Sequence, residues 1–126
     1  MTADGLYVVQ PQRIVVAKRG SLTAEFGAPE GLAINGTMGD ADPALSADGR
    51  VLMFSSNNRT GGFDFADIWY ATRNDITQPF ANPRLVPTIN GMHADGDAHL
   101  SADGCRLYFA SARNGGVYNL MIASVQ

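Results

Sequence analysis

An internal repeat is the feature of this sequence that most limits how the chain can fold. Residues 40–56 (DADPALSADGRVLMFSS) and 95–111 (DGDAHLSADGCRLYFAS) align without a gap at an offset of 55, with 10 of 17 positions identical. Other short matches keep the same order along the chain: ING at 34–36 and 89–91, RTGG (59–62) with RNGG (113–116), DIWYAT (67–72) with NLMIAS (119–124), and RIVVAKR (13–19) with DIWYATR (67–73). A repeat of this kind predicts a stack of similar structural units.

Each unit is predicted to contain four short strands and almost no helix. In the middle unit the predicted strands are Pro43–Ser46, Arg50–Ser56, Asp67–Arg73 and Arg84–Ile89. Within the second of these, Val51, Met53 and Ser55 alternate with Leu52, Phe54 and Ser56, as on a strand with two faces. No segment shows a sustained helical period. Because they recur at matching positions of second strands, four side chains are predicted to fill the layers between units: Leu52, Phe54, Leu107 and Phe109.

Several polar and glycine residues of the repeat are predicted to have structural roles. They are Asp42, Pro43, Asp48, Gly49, Asp97, Asp103 and Gly104. In the two S-A-D-G turns the aspartate can accept backbone N–H bonds, and the glycine after it tolerates a positive φ. Asp42 and Asp97 recur in the same L-S-A-D-G context, so we predict that both are structural hydrogen-bond acceptors.

The middle unit also resembles a known repeat. Its pattern D-x-D-P-x-L-S-x-D-G-R-x-L-x-F-x-S, followed by R-x-G-G and D-I-W-Y-A-T-R, is similar to the WD40-like PD40 repeat of TolB-type β-propellers. The resemblance covers nearly the whole chain, although Ala98 stands where Pro43 does and Asn119 where Asp67 does. It implies an all-β chain of β-propeller blades, each a four-stranded antiparallel meander.

The resemblance also implies a partial ring. Residues 1–126 would hold an incomplete blade (1–39), a complete blade (40–94) and an incomplete blade (95–126). Closed propellers use about 4–8 blades, so we expect a homo-oligomer or part of a longer chain. In an oligomer, the terminal segments Leu6–Val9 and Asn119–Val125 are expected at or near the contact.

Composition limits the classes of partner that we expect this chain to bind. The net charge is −3, with one lysine beside eight arginines and no basic cluster, so we expect no nucleic-acid binding. No apolar stretch approaches the roughly 18 residues of a membrane span. The N-terminus lacks a signal-peptide pattern, while the resemblance favours a periplasmic or extracellular location. The single cysteine, Cys105, is predicted to be a small buried hydrophobe.

One cluster could hold a metal ion. His93, Asp95, Asp97 and His99 occupy every second position, so an extended strand would present all four on one side, as Zn²⁺ or Mn²⁺ would require. However, both aspartates repeat Asp40 and Asp42, beside which Met38 and Ala44 replace the histidines. We therefore expect no cofactor, with a divalent cation, including weakly held Ca²⁺, as the alternative.

Three aromatic residues are candidates for partner binding: Phe63, Phe65 and Trp69. The two phenylalanines lie in a loop that has no counterpart in the third unit, so they can anchor a partner or pack beneath the loop. Trp69 aligns with Val15 and Met121, which favours burial between units instead.

Enzyme motifs are absent from the sequence. It contains no G-x-S-x-G elbow, no phosphate-binding G-x-x-x-x-G-K-[ST] and no H-E-x-x-H. We therefore predict no catalytic residues and no hydrolase or transferase activity. The leading hypothesis is a non-catalytic binding or scaffolding module that mediates protein–protein interaction or self-assembly. The alternative is a fragment or subunit of a metal-dependent propeller lyase or hydrolase that uses His93 and His99.

Overall fold

The computed structural model describes residues 5–10, 13–36, 39–57, 59–63 and 65–124. These residues form strands and no helix, which confirms the all-β prediction for this part of the chain. The strands are β1 (Gly5–Gln10), β2 (Arg13–Lys18), β3 (Glu30–Gly31), β4 (Asp40–Leu45), β5 (Val51–Ser56), β6 (Asp67–Thr72), β7 (Ala81–Leu85), β8 (Asp95–Leu100), β9 (Arg106–Asn114) and β10 (Val117–Ser124). Within the described ranges there is accordingly no long apolar helix that could cross a membrane.

The strands form three antiparallel sheets in which neighbours in sequence are neighbours in space. Sheet 1 has the order β1-β2-β3, sheet 2 the order β4-β5-β6-β7, and sheet 3 the order β10-β9-β8. Strands of sheet 1 contact sheet 2 and strands of sheet 2 contact sheet 3, whereas no described strand of sheet 1 contacts sheet 3. The described sheets are therefore an open stack in chain order, with no closed barrel or ring.

The last strand of sheet 2 lies earlier in the chain than predicted. We expected Arg84–Ile89, but β7 ends at Leu85. Pro87 has no N–H to donate to a strand ladder, and Thr88 has a φ of 69°, which is outside the extended region. Residues 87–89 consequently form a turn that leads the chain from sheet 2 towards sheet 3.

The layer between sheets 1 and 2 is apolar. Its buried side chains are Ile14, Ile34, Leu52, Phe54, Trp69, Ala71 and Phe80. Leu52 and Phe54 alternate with Met53 along β5, and Met53 belongs to the next layer instead. Period-two alternation therefore gives β5 two buried faces, as expected of a strand in the middle sheet of a stack.

The layer between sheets 2 and 3 has the same construction. Its buried side chains are Met53, Ile68, Ala98, Leu107 and Phe109. Leu107 and Phe109 of sheet 3 occupy the repeat positions of Leu52 and Phe54 in sheet 2, and all four are buried. The predicted burial of these four residues is confirmed. Cys105 is exposed, contrary to the prediction, because it lies in the turn before β9 and not in a strand.

Candidate functional site

Two asparagines, Asn35 and Asn90, make hydrogen bonds at the junctions between successive sheets. Both belong to the repeated I-N-G sequence. Asn35 Oδ1 accepts a hydrogen bond from Ile14 N (2.9 Å), and its Nδ2 donates to Ile14 O (2.8 Å). Asn90 makes the same pair with Ile68 N (2.7 Å) and Ile68 O (2.9 Å). Each amide thus satisfies both backbone groups of one residue in the preceding sheet. The sequence marked these asparagines as repeated but did not reveal their role.

A buried aspartate and an arginine complete each junction. At the first junction, Arg59 Nη2 lies 2.8 Å from Asp40 Oδ2 and also donates to Ile34 O (2.5 Å). At the second, Arg113 Nη2 lies 3.1 Å from Asp95 Oδ1 and donates to Ile89 O (2.6 Å). Both aspartates are buried. We call each set of asparagine, aspartate and arginine a junction lock.

The second junction also contains groups that have no counterpart at the first. Asp67 stands where Arg13 does in the repeat, and it is buried close to Asp95 and His93. Burial raises the pKa of Asp67 and the Asp95 carboxylate raises it further, whereas the Phe63 N–H and His93 oppose the shift. His93 Nε2 lies 3.5 Å from Asp95 Oδ2. Among the described residues, neither of these two atoms nor Asp67 Oδ1 has a hydrogen-bond partner.

The four residues predicted as possible metal ligands are not presented together. The pairing of β8 with β9 shifts between Gly96 and His99, and Asp97 has a φ of 50°. This bulge breaks the alternation on which the prediction depended. Asp95 is buried in the second junction lock, whereas Asp97 and His99 are exposed. In the described part of the chain, no three histidine, cysteine or acidic side chains are arranged to hold a metal ion.

Asp42 and Asp97 share a backbone setting but not a hydrogen bond. Asp42 has a φ of 52°, like Asp97, and the pairing of β4 also shifts there. Pro43 fits this irregular stretch because it has no N–H to leave unpaired. The Asp42 carboxylate accepts a hydrogen bond from Ser55 Oγ. Ala110 stands at the Ser55 position in the third unit, so that bond has no equivalent at Asp97.

The two S-A-D-G turns are the same in detail. Asp48 accepts hydrogen bonds from Ser46 Oγ (2.6 Å) and Arg50 N (3.1 Å). Asp103 accepts from Ser101 Oγ (2.5 Å) and Cys105 N (3.0 Å). The serine hydroxyl is the main cause of a lowered pKa at both carboxyl groups. Gly49 and Gly104 follow with φ of 70° and 72°, a conformation that glycine adopts at a lower steric cost than other residues.

Of the three aromatic candidates for partner binding, Phe63 and Phe65 lie on the surface and Trp69 lies in the interior. Phe63 and Phe65 are 42% and 47% exposed in the loop between β5 and β6. The loop is held by hydrogen bonds from Phe63 N to Asp67 Oδ2 (2.6 Å) and from Gly62 N to Arg59 O (3.2 Å). Trp69 is buried between sheets 1 and 2 and is not available as a surface anchor.

A second apolar surface lies on sheet 3. Leu120 and Ile122 of β10 are 74% and 59% exposed, whereas the alternate residues Met121 and Ala123 pack in the second layer. They belong to the terminal segment expected at a contact; of that segment, Val125 lies outside the described residues. The described surface thus carries exposed apolar side chains, and each junction lock contains one buried carboxylate, Asp40 or Asp95. Searches against known protein families and among curated proteins find no match for this chain.

Proposed function

We propose that this chain is part of a β-propeller, that its three sheets are blades, and that it acts as a non-catalytic scaffold that binds a protein partner. The stacking of the sheets in chain order supports this proposal, as does the repetition of one junction lock at two successive junctions. A regular junction is what a radial array of similar sheets requires.

The observation that carries the binding role is the exposed pair Phe63 and Phe65. Aromatic side chains contribute large contact areas and are enriched at protein interfaces. Their loop is anchored through Phe63 N to the buried Asp67 carboxylate. An anchored loop loses less conformational freedom on binding than a free one, so more of the contact energy contributes to affinity.

The arginine partners of Asp40 and Asp95 support a scaffolding role over a catalytic one. Asp40 is engaged by both Arg59 Nε (3.1 Å) and Arg59 Nη2 (2.8 Å), and it also accepts from Gly36 N (2.7 Å). Asp95 is paired with Arg113. The three donated bonds at Asp40 offset the desolvation of a buried carboxylate, and the Arg113 bond at Asp95 places the same pairing at the second junction.

Site-specific crosslinking tests the binding role. A photoreactive phenylalanine analogue is placed at Phe63, and the chain is expressed in the cells that naturally produce it. A matched control carries the analogue at Leu22, an exposed apolar residue in the loop after β2. We expect a discrete protein adduct from position 63 that Phe65→Ser weakens, and no such adduct from position 22. Identical adduct patterns from both positions would contradict the proposal.

A further inference from the structure

Three buried polar atoms at the second junction have no hydrogen-bond partner among the described residues. They are Asp67 Oδ1, His93 Nε2 and Asp95 Oδ2. The two aspartates are 1% and 0% exposed, and His93 Nε2 lies 3.5 Å from Asp95 Oδ2. Buried polar atoms are normally paired, so this group calls for an explanation beyond the packing of the sheets. We call Asp67, His93 and Asp95 the acid–histidine cluster.

The backbone lies close to two members of the acid–histidine cluster. A Cβ atom at position 62 would lie 2.6 Å from Asp67 Oδ2, and a Cβ atom at position 91 would lie 2.8 Å from His93 Cε1. Both positions are glycine, so the carboxylate and the imidazole ring can lie directly against the main chain. A change in the charge of either side chain therefore acts on backbone groups at very short range.

The charges of the cluster do not balance when both of its aspartates are ionised. The groups that act on the Asp67 carboxyl are Asp95 of β8 and His93, which lies before β8. Arg113 of β9 reaches the cluster through Asp95 Oδ1, at 3.1 Å. Arg113 neutralises one of the two negative charges, and a proton on His93 or on Asp67 neutralises the other. The cluster therefore holds one exchangeable proton, which belongs to the group and not to one residue.

The first junction contains no such cluster. In the repeat, Arg13 and Met38 stand where the cluster has its first aspartate and its histidine. The carboxylate of the first junction, Asp40, is paired with Arg59 at 2.8 Å, so one positive charge meets one negative charge. The first junction is accordingly a control, inside the same chain, for any effect of pH on the second.

Asp67 also holds the loop that carries the exposed aromatic residues. Its second carboxylate oxygen, Oδ2, accepts a hydrogen bond from Phe63 N at 2.6 Å. An ionised carboxylate is a stronger acceptor than a protonated one. Burial and then the Asp95 carboxylate raise the pKa of Asp67, and the bond from Phe63 N opposes that rise. Because linkage is reciprocal, ionisation of Asp67 must strengthen the bond to Phe63 N.

We infer that the protonation state of the acid–histidine cluster controls how firmly the loop at Phe63 is attached to the second junction. The loop is held when Asp67 is ionised, and this anchor weakens when Asp67 is protonated. A protonated His93 acts in the same direction as Phe63 N–H, because a nearby positive charge favours the ionised carboxylate.

This inference rests on the proposed function for the role of Phe63 as a contact residue. It adds regulation by acid at that contact. An anchored loop loses less conformational freedom on binding, so the affinity for the protein partner should fall when the pH falls through the titration of Asp67.

Nuclear magnetic resonance of the whole chain from about pH 3 to pH 8 tests the shared proton. The Phe63 amide signal should titrate with a midpoint above that of the Thr77 amide. Thr77 N donates to the exposed Asp75 Oδ1 (2.9 Å), and the hydrogen bonds from the Thr77 hydroxyl and amide lower the pKa of Asp75. His93→Met, which carries the residue of the first unit, should move the Phe63 midpoint to higher pH. Equal midpoints for the two amides, or an unchanged midpoint in His93→Met, would overturn the inference.

Amide hydrogen exchange tests the attachment of the loop. After correction for the intrinsic effect of pH on exchange, the protection factor of the Phe63 amide should rise at least about fivefold across its titration, since a charged acceptor strengthens a bond by about 1 kcal/mol. Asp67→Asn keeps a neutral acceptor and should remove this pH dependence. The Gly36 amide, which donates to the arginine-paired Asp40 (2.7 Å), should keep a constant protection factor above about pH 5.

A constant protection factor at Phe63, or the same rise in Asp67→Asn, would overturn the control of the loop by the cluster. These measurements need no partner, so that failure would leave the aromatic binding role intact. The absence of a crosslinked adduct at Phe63 would instead remove the binding role and leave the link between Asp67 and the loop standing.

Discussion

Replacement of Asn90 by alanine should destabilise the fold more than the same replacement of Asn35 or Asn119. Asn90 accepts a hydrogen bond from Ile68 N (2.7 Å) and donates to Ile68 O (2.9 Å) and Val86 O (3.0 Å). Alanine removes all three bonds. Ile68 itself is fully buried, so its N–H is left without a partner in a place where water has poor access.

The magnitude follows from the number of bonds. A hydrogen bond contributes about 1 kcal/mol to stability, so Asn90→Ala should lower the free energy of unfolding by about 3 kcal/mol. Asn35→Ala removes two equivalent bonds, to Ile14 N and Ile14 O, and should cost about 2 kcal/mol. Asn119 makes one bond on the surface, to Val117 O, and its replacement should cost less than about 0.5 kcal/mol.

Urea denaturation followed by tryptophan fluorescence measures these differences. Trp69 is the single tryptophan of the chain and is buried between sheets 1 and 2, so its emission reports loss of that layer. Asn90→Asp keeps the acceptor but places a carboxylate oxygen against Ile68 O and Val86 O, to which Nδ2 donates in the wild type, so it should destabilise the fold at least as much as Asn90→Ala. An Asn90→Ala variant that is no less stable than Asn119→Ala would refute the stabilising role assigned to the junction lock.

Three further predictions concern the core, the buried ion pair and pH. Phe54→Ala should lower the free energy of unfolding by about 3–5 kcal/mol, because Phe54 is fully buried; a cost below that of a surface substitution in urea denaturation would contradict it. Arg59→Met should cost about 3–5 kcal/mol by leaving Asp40 ionised and buried, and Arg59→Met with Asp40→Asn should recover much of that loss, which thermal unfolding can measure. Asp67 has a raised pKa, so its ionisation opposes folding: that penalty is absent below its unfolded-state pKa and develops as pH rises through the folded-state pKa. Asp67→Asn should therefore gain stability relative to wild type as pH rises from about 4 to 7, and a constant difference in melting temperature across that range would refute the prediction.

The sequence allowed the strands and core to be predicted because their signals are local. β5 was predictable as a short apolar run bounded by turn residues, and the equivalence of Phe54 and Phe109 followed from the repeat. Both side chains are buried in the predicted layers. The S-A-D-G turns were likewise predictable, since a short Asp-Gly segment carries its own hydrogen-bonding and φ requirements.

Features that depend on an irregular backbone or a distant partner were not predictable in this way. The proposed side-by-side arrangement of His93 and His99 assumed a regular strand, whereas Asp97 adopts a left-handed φ and shifts the register. β7 ends earlier than predicted because Thr88 also has a positive φ. The role of Asn90 could not be predicted because its amide bonds Ile68, which lies 22 positions earlier in the sequence.

The position of the junction-lock residues in the sequence has a consequence for how a chain of this kind can gain further sheets during evolution. The first lock uses Asn35, Asp40 and Arg59, and the second uses Asn90, Asp95 and Arg113. In each case, the residues that attach a new sheet to the preceding one lie in one continuous segment of the gene, together with the first two strands of that new sheet. Tandem duplication of a whole unit that contains such a segment therefore copies a sheet together with the residues that attach it to the preceding one.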